Sequence, residues 1–160
     1  RERNPTCRIE VLVPDFQGSH HAMEIVLSAQ PDVLNHNIET VPRLYQTVRL
    51  GSRYERSLDM LATAKSLAPE ILVKSGMMLG LGECHEEILG VMRDLAAQRV
   101  DILTIGQYLR PSLQHLPVKR YYTPHEFVAY KKAGENLGFQ HVESGALVRS
   151  SYNADEIVSR

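Results

Sequence analysis

Two patterns of apolar and polar positions alternate along the chain. Short runs rich in β-branched residues predict strands at residues 8–13, 32–35, 70–74 and 100–105. Between these runs, apolar residues recur three and four positions apart, which is the spacing of one helical face. This second pattern predicts helices that begin near Ser19, after Pro42, at Ser52, before Ile88 and at Thr123. Residues 141–143 are a candidate for a last short strand.

Two of the predicted helix starts carry a capping box. Ser52 and Glu55 have its spacing, and so do Thr123 and Glu126, where Pro124 also suits the first helical position. In this motif the first residue's hydroxyl accepts from the backbone N–H three residues on, and the acid accepts in return. We therefore expect both helices to begin at these residues.

The alternation of strand and helix predicts an α/β fold. Four βα units in succession are typical of a parallel sheet with right-handed crossovers, and four such units make half of an eight-stranded barrel. An incomplete parallel sheet leaves the N–H and C=O groups of its first strand unpaired. We therefore expect more chain, or another chain, to precede Arg1. No repeat or linker divides the 160 residues into separate domains.

The stretch 74–83 runs from the third predicted strand into a turn spaced by glycines. The strand is expected to end at Lys74. Gly76 and Gly80 lack a Cβ, so a planar ligand could approach the backbone closely, and Glu83 adds a carboxylate beside it. A nucleotide-like ligand is one interpretation; ordinary turn chemistry is the other.

Other polar residues follow the predicted strands at the same end of the barrel. Because functional groups in such folds gather at the carboxyl ends of the strands, we expect one shared mouth to hold them. Simpler roles are also open: a turn cap for the asparagines, a solvated carboxylate for the glutamate and an ion pair for the lysine. In chain order the candidates are Asn35, Asn37, Glu39, Lys74, Gly76, Gly80, Glu83, Gln107 and Tyr108.

Composition narrows the function classes. A formal charge of -1, with acids and bases interspersed, gives no field to attract nucleic acid or an anionic membrane. No apolar run has the roughly 18 residues that a membrane-spanning helix needs. Cys7 and Cys84 are the only cysteines, so a disulfide framework or an all-cysteine metal site cannot be formed from this chain. The sequence predicts a soluble, intracellular protein that binds neither nucleic acid nor membrane.

Four motifs in order resemble one family. Residues 35–43, 76–83, 106–112 and 149–152 together are similar to the C-terminal half of lipoyl synthases, which are radical S-adenosylmethionine enzymes. The resemblance runs from Arg1 to about Asp155. It implies the C-terminal portion of a partial (β/α) TIM-like barrel, with four βα units over residues 1–145 and a tail over residues 146–160. The tail carries the motif Arg149-Ser150-Ser151-Tyr152.

The resemblance also implies roles for individual residues. Asn37 and Glu39 would hydrogen-bond the ribose hydroxyls or the methionyl end of S-adenosylmethionine, and Lys74 would lie near its methionyl carboxylate. The glycine stretch would help to hold the adenosyl group. Ser150, or alternatively Ser151, would bind iron in an auxiliary cluster. The residues expected at the cofactor are Asn37, Glu39, Lys74, Gly76, Gly80, Glu83, Gln107 and Tyr108.

The complete enzyme of this family is expected to hold two 4Fe-4S clusters. One reduces S-adenosylmethionine to a 5′-deoxyadenosyl radical, and the auxiliary one gives up its own sulfur. The cysteine trios that hold both clusters are absent from these 160 residues. We therefore expect the chain alone to bind no cluster stably and to catalyse nothing.

The implied reaction inserts two sulfur atoms into an octanoyl group on a carrier lysine. The implied partners are an electron donor and octanoylated carrier domains, either of a 2-oxoacid dehydrogenase acyltransferase subunit or of the glycine cleavage system. Arg110, Lys119, Arg120 and Arg149 could contact such a domain, or could form a solvated basic rim. The expected compartment is the cytoplasm in bacteria, and the mitochondrion or plastid in eukaryotes.

Two alternatives have different signatures. A different barrel enzyme of the same superfamily would have one upstream cysteine trio but no second one. A half-barrel that binds a nucleotide-like ligand or docks onto a partner without catalysis would have no upstream cysteines, and would bind S-adenosylmethionine as a colourless protein.

Overall fold

A computed structural model describes residues 3–151 of the chain. Among these residues it has five strands and five α-helices, with one helix between successive strands except for two between the second and third strands. The strands are β1 (Glu10–Leu12), β2 (Val33–Asn35), β3 (Leu72–Leu79), β4 (Ile102–Gln107) and β5 (His141–Gly145). The helices are α1 (His20–Ser28), α2 (Tyr45–Val48), α3 (Tyr54–Leu67), α4 (His85–Ala97) and α5 (Pro124–Asn136). Short 3-10 turns at Phe16–Gly18 and Pro42–Leu44 precede α1 and α2.

The five strands form one parallel sheet in the order β1-β2-β3-β4-β5. Each crossover therefore moves to the next position in the same direction, without the reversal that defines a doubly wound sheet. Right-handed crossovers of this kind put all the helices on one face and leave the other face concave, as in part of a (β/α) barrel. The predicted fold class is confirmed.

The main core lies between the sheet and the helices. From the sheet, Leu34, Val73 and Leu103 are fully buried and belong to the same apolar cluster as Leu61 of α3 and Met92 of α4. On the opposite, concave face the register aligns Asn35 with Lys74, and Gly76 with Thr104. The convex face thus supplies the packing, and the concave face carries polar groups.

β3 is longer than the sequence predicted. We expected it to end at Lys74, with Gly76 in a turn, but pairing with β4 continues to Leu79 opposite Gln107. β3 forms six residue pairs with the largely apolar strand β4. The stability gained from this pairing outweighs the weak strand propensity of one glycine. Gly76 therefore lies inside a strand, and the turn begins at Gly80.

The capping box at Ser52 is wrong. The N-cap of α3 is Arg53, and no side chain caps it. The Ser52 backbone N–H instead donates to the Arg49 carbonyl. This bond holds Ser52 in the preceding turn, one residue before the N-cap position. The second predicted box, at Thr123 and Glu126, is confirmed.

The candidate last strand is also real. β5 extends from His141 to Gly145 and pairs with β4 in parallel, so the sheet has a fifth strand beyond the four predicted βα units. The predicted division at residue 145 coincides with the end of this strand, but a separate tail domain stays a prediction because residues 152–160 lie outside the described part of the chain.

Candidate functional site

A cavity of about 370 Å³ opens at the carboxyl ends of the strands. Its wall comes from the loop after β2, from β3, from the end of β4 and from the segment that follows β5. A volume of this size falls at the lower end of ordinary small-molecule sites. The lining residues are Asn37, Glu39, Gly76, Met77, Met78, Thr104, Gly106, Gln107, Tyr108, Leu109, Pro111, Val148, Arg149 and Ser150.

The loop after β2 is fastened to β3 by backbone bonds. The Glu39 N–H donates to the Gly76 carbonyl at 2.9 Å, and the Met78 N–H donates to the Glu39 carbonyl at 2.8 Å. The Ser75 hydroxyl also accepts from the Ile38 N–H at 3.1 Å. These bonds fix Asn37 and Glu39 against the strand, so both side chains reach the cavity on a firmly held backbone.

Asn37 brings an unused acceptor to this wall. Its Oδ1 atom is buried and has no hydrogen-bond partner among the described residues. A Cβ built on Gly76 would lie 2.9 Å from this oxygen and 2.6 Å from Thr104 Oγ1, which is too close for real atoms. Gly76 therefore lets two polar oxygens lie against the strand backbone at the cavity wall. A buried acceptor without a partner costs free energy, and a ligand donor at this wall would remove that cost.

Glu39 has an unusual backbone and an unusual carboxyl group. Its φ angle is 67°, in the left-handed region that is uncommon for residues with a side chain. Burial raises the pKa of its carboxyl group above the ordinary value, while Arg49, whose Nη1 lies 3.2 Å from Oε1, and the Asn37 side chain act in the opposite direction. Strained backbone and a perturbed carboxylate beside a cavity are features that cluster at functional sites.

The segment after β5 closes one side of the cavity by lying directly on β4. A Cβ on Gly106 would collide with the Val148 carbonyl oxygen, so only glycine lets the two backbones approach this closely. Arg149 Nη1 donates to the Val148 carbonyl at 2.7 Å. This packing carries Ser150 to the cavity wall. Ser151 is exposed and is not part of the wall, and Tyr152 lies outside the described residues.

Two of the predicted ligand residues lie in the turn that follows β3 instead. The Glu83 carboxylate accepts from the backbone N–H groups of Gly80 and Leu81. Gly80 has a φ of 116°, and a Cβ there would collide with the Gln107 side chain and with the Arg120 carbonyl. Both residues thus build the turn, and neither lines the cavity. Their place in a ligand site stays a prediction.

Gln107 and Tyr108 line the cavity, but their polar atoms are committed to the backbone. Gln107 Nε2 donates to the carbonyls of Tyr108 and Arg120, and its Oε1 accepts from the Tyr122 N–H at 3.0 Å. The Tyr108 hydroxyl donates to the Leu116 carbonyl at 2.9 Å. These two side chains therefore offer a ligand surface and shape while they hold the loop after β4 in position.

Lys74 lies one layer below the cavity on the concave face. Its side chain is fully buried, and Nζ bonds Glu10 Oε2 at 3.0 Å. Asn35 donates to the other oxygen of Glu10 at 2.8 Å, and Asn35 Oδ1 has no partner among the described residues. The ion pair that we left open for Lys74 is present. A contact between Lys74 and a ligand carboxylate stays a prediction.

The described residues do not form an iron-sulfur site. Residues 3–151 contain no cluster of three or more histidine, cysteine, aspartate or glutamate side chains suited to a metal. Cys7 and Cys84 are exposed thiols, and Cys84 caps α4 with Glu87, a capping box that the sequence analysis missed. Ser150 could contribute one oxygen ligand at most, so a cluster would need donors from outside this chain.

Sequence reasoning also missed Thr104, Gly106 and Arg49. Thr104 and Gly106 alternate along β4 and are register partners of Gly76 and Met78, so the period of two could have placed them on the same face. Arg49 approaches Glu39 only through the fold, and no local pattern in the sequence indicates that contact.

No helix among residues 3–151 is long and apolar enough to cross a membrane.

Curated proteins share this sequence at high identity, whereas no protein-family model matches it. The chain is 61% identical over 156 residues to the lipoyl synthase of Koribacter versatilis, covering 98% of the chain and 51% of that relative. It is 60% identical to the lipoyl synthase of Rubrobacter xylanophilus, covering 98% of the chain and 49% of that relative. The lipoyl synthase of Caldanaerobacter subterraneus is 56% identical over 151 residues, covering 94% of the chain and 53% of that relative.

The chain spans about half the length of the curated relatives it matches, as expected for the C-terminal half. Matches of this identity extend over nearly all of its residues, and they agree with the four motifs and with the partial barrel. The chain belongs to the lipoyl synthase family.

Proposed function

We propose that this chain forms one wall of the active site of a lipoyl synthase that inserts two sulfur atoms into a protein-bound octanoyl group. The single observation that carries the proposal is the cavity at the carboxyl edge of the sheet, where Asn37, Glu39, Gly76 and Ser150 meet. Four residues from three separate motifs of the resemblance thus share one space.

S-adenosylmethionine suits the Asn37 side of this cavity. Its ribose hydroxyls are donors, and Asn37 Oδ1 is a buried acceptor that has no partner among residues 3–151. The Glu39 carboxylate can accept from the neighbouring hydroxyl, and Gly76 presents no Cβ between the strand backbone and a ligand. When bound, this cosubstrate supplies the 5′-deoxyadenosyl radical that removes hydrogen from the octanoyl chain.

The protein's own contribution on this side is positioning. The loop that carries Asn37 and Glu39 is bonded to β3 on both sides of Glu39, so its side chains need no rearrangement to meet a ligand. Arg49 holds the Glu39 carboxylate in place and favours its ionised, acceptor form. Gly106 lets the segment 148–150 cover the cavity and limit the entry of water.

Ser150 is the proposed iron ligand on the opposite wall, with Ser151 as the alternative. The cluster cysteines of this site would come from outside the 160 residues, since Cys7 and Cys84 are exposed and apart from the cavity. A serine oxygen is a harder ligand than a thiolate and matches iron in a sulfur cluster less well. The chain by itself is accordingly proposed to hold no cluster and to be inactive.

The proposed setting follows from this reaction. The partners are an electron donor and an octanoylated carrier domain, either of a 2-oxoacid dehydrogenase acyltransferase subunit or of the glycine cleavage system. The curated relatives are bacterial proteins, and for a bacterial source the proposed compartment is the cytoplasm.

The test compares two neighbouring serines in the full-length enzyme, prepared without oxygen. Ser150→Ala is expected to lower the iron and sulfide content per polypeptide and to abolish sulfur insertion, while reductive cleavage of S-adenosylmethionine continues. Ser151→Ala is the matched control, because this serine is exposed and does not line the cavity.

The assignment of Ser150 is contradicted if its alanine variant keeps full iron content and sulfur insertion, or if Ser151→Ala alone loses them. Ser150→Cys adds a second check, because a more tightly bound thiolate should slow sulfur insertion. Undiminished insertion by the cysteine variant would count against a labile serine ligand.

A further inference from the structure

The loop that joins β4 to α5, residues 108–123, has a charge pattern unlike the rest of the chain. No aspartate or glutamate occurs between Asp101 and Glu126, although the chain contains 19 acids. Over the same stretch there are three permanent cations, Arg110, Lys119 and Arg120. The loop is therefore basic within a chain whose net charge is -1.

Internal hydrogen bonds fix the shape of this loop. Arg110 Nε donates to the His115 carbonyl at 2.8 Å, and its Nη2 donates to the Leu113 carbonyl. The Ser112 hydroxyl bonds His115 Nδ1 at 2.9 Å. Further along, the Lys119 N–H donates to the Gly80 carbonyl at 2.8 Å, which ties the loop to the turn after β3.

This fixed loop presents apolar side chains to solvent. Leu113 is 87% exposed, Tyr121 is 69% exposed and Leu109 is 46% exposed. Leu147, on the segment that covers the cavity, is 76% exposed. Single exposed leucines are ordinary, but several apolar side chains with cations on a preorganised surface are typical of a docking site.

The surface borders the cavity. Leu109 and Pro111 belong both to the loop and to the cavity wall, and Leu147 directly precedes Val148 of the same wall. Lys119 has no ionic partner among residues 3–151, whereas Arg120 is paired with Glu126 and lies over the Tyr122 ring. Arg110 also has no ion pair among these residues, but its Nε and Nη2 donate to carbonyls of the loop, so Lys119 is the cation whose charged group is left for a partner.

We propose that Leu113, Lys119 and Tyr121, together with Leu147, form the surface on which the acyl-carrying protein domain docks, and that this domain has an acidic face. The inference rests on the proposed function. An octanoyl group on a lysine is a short arm, so its domain has to sit at the cavity mouth, where residues 3–151 offer this surface. The basic loop selects an acidic partner by charge, and Leu113 inserts between apolar side chains of that partner.

The experiment uses the full-length enzyme with two substrates that carry the same N6-octanoyl-lysine, an octanoylated carrier domain and a short peptide. Leu113→Asp is expected to weaken binding of the domain and raise its KM by about tenfold or more. Lys119→Glu is expected to weaken binding of the domain and raise its KM by about fivefold, and this effect should become smaller as the salt concentration is raised. Turnover of the peptide, which has no domain to dock, should stay within twofold of wild type.

Two control variants match these substitutions elsewhere on the surface. Leu50 is 85% exposed and does not line the cavity, so Leu50→Asp repeats the change of an exposed leucine to an acid. Lys132→Glu repeats the charge reversal on the exposed face of α5. Both are expected to leave domain binding and peptide turnover at wild-type values.

The outcomes separate the two proposals. If wild-type enzyme converts neither substrate, the proposed function fails. If it converts both and the Leu113 and Lys119 variants bind the domain normally, the docking surface is refuted. It is also refuted if Leu113→Asp lowers Tm by several degrees while Leu50→Asp does not, since another part of the enzyme then covers Leu113. The docking surface is refuted as well if the variants lose turnover of the peptide as much as turnover of the domain. Binding of anionic phospholipid vesicles through these residues, in place of the domain, also refutes it.

Discussion

The turn after β3 and the loop after β2 both bring buried polar side chains to the same edge of the sheet. In the turn, Glu83 accepts from two backbone N–H groups. In the loop, Asn37 Oδ1 has no partner among residues 3–151 and lies against Gly76 at the cavity wall. In the sequence, both motifs place an acid or an amide beyond a predicted strand.

The difference separates residues that build the edge from residues that can serve a ligand. A buried acceptor that already has its donors stabilises the fold and has nothing left to offer. A buried acceptor without a donor costs stability and is retained where a ligand completes it. On this criterion the turn is the scaffold, and the loop after β2 is the binding element.

Removal of the Glu83 carboxylate should have the largest effect on stability. Glu83→Ala leaves the N–H groups of Gly80 and Leu81 without an acceptor, so we expect a loss of about 2–4 kcal/mol in the free energy of unfolding. Denaturant unfolding of the full-length protein measures it. Glu83→Gln keeps one acceptor and should lose less. If Glu83→Ala is as stable as wild type and loses only cosubstrate binding, the turn after β3 is a binding element and not the scaffold.

Gly76→Ala should damage binding and stability together. The new methyl group would press on Thr104 Oγ1 and Asn37 Oδ1, and overpacking of this kind costs about 1–3 kcal/mol. Because it also comes between the strand backbone and the ligand, affinity for S-adenosylmethionine should fall by at least about tenfold, a change of 1.4 kcal/mol. Gly90→Ala is the control, since a Cβ on this glycine of α4 meets nothing within 4 Å. It should bind normally.

Asn37→Ala should separate the two properties. The side chain has an unsatisfied oxygen, so its removal should change the free energy of unfolding by less than about 1 kcal/mol. Affinity for S-adenosylmethionine, measured by calorimetry on the full-length enzyme, should fall by about tenfold. A large loss of stability with unchanged affinity would place Asn37 with the scaffold.

The pH dependence of binding should give the smallest effect. Burial raises the pKa of Glu39, so this group stabilises the fold below the ordinary carboxyl pKa, and that contribution is lost as the pH rises through the raised value. The ionised carboxylate is the stronger acceptor for the ribose hydroxyls. Affinity should therefore weaken on acidification, and the loss should begin at a higher pH than it would for an ordinary carboxyl group of pKa ~4.3.

Glu39→Gln is the control for this titration. An amide oxygen accepts a hydrogen bond at any pH, so the variant should bind more weakly at pH 8 and should lack the pH dependence of the wild type. An identical pH profile in both proteins would exclude Glu39 as its source.

Local patterns were enough to predict most of the architecture. The strands, the box at Thr123 and a shared mouth for Asn37 and Glu39 follow from periodicity, from turn chemistry or from the usual place of functional groups in such folds. The cavity contains Asn37 and Glu39 and adds Ser150, which the sequence did not place there.

The residues that were harder to place depend on contacts between distant segments. Lys74 is one of them, because its partner Glu10 is 64 residues away and no spacing within the sequence encodes that pair. Glu83 is different: its partners are the nearby N–H groups of Gly80 and Leu81, and the bond depends on the backbone conformation of the turn.

The most direct measurement is a crystal structure of the full-length enzyme with S-adenosylmethionine bound. We expect ribose oxygens within hydrogen-bond distance of Asn37 Oδ1 and the Glu39 carboxylate, and the cosubstrate packed over Gly76. A cosubstrate bound instead at the Gly80–Glu83 turn, or elsewhere with Asn37 still unpartnered, would contradict it.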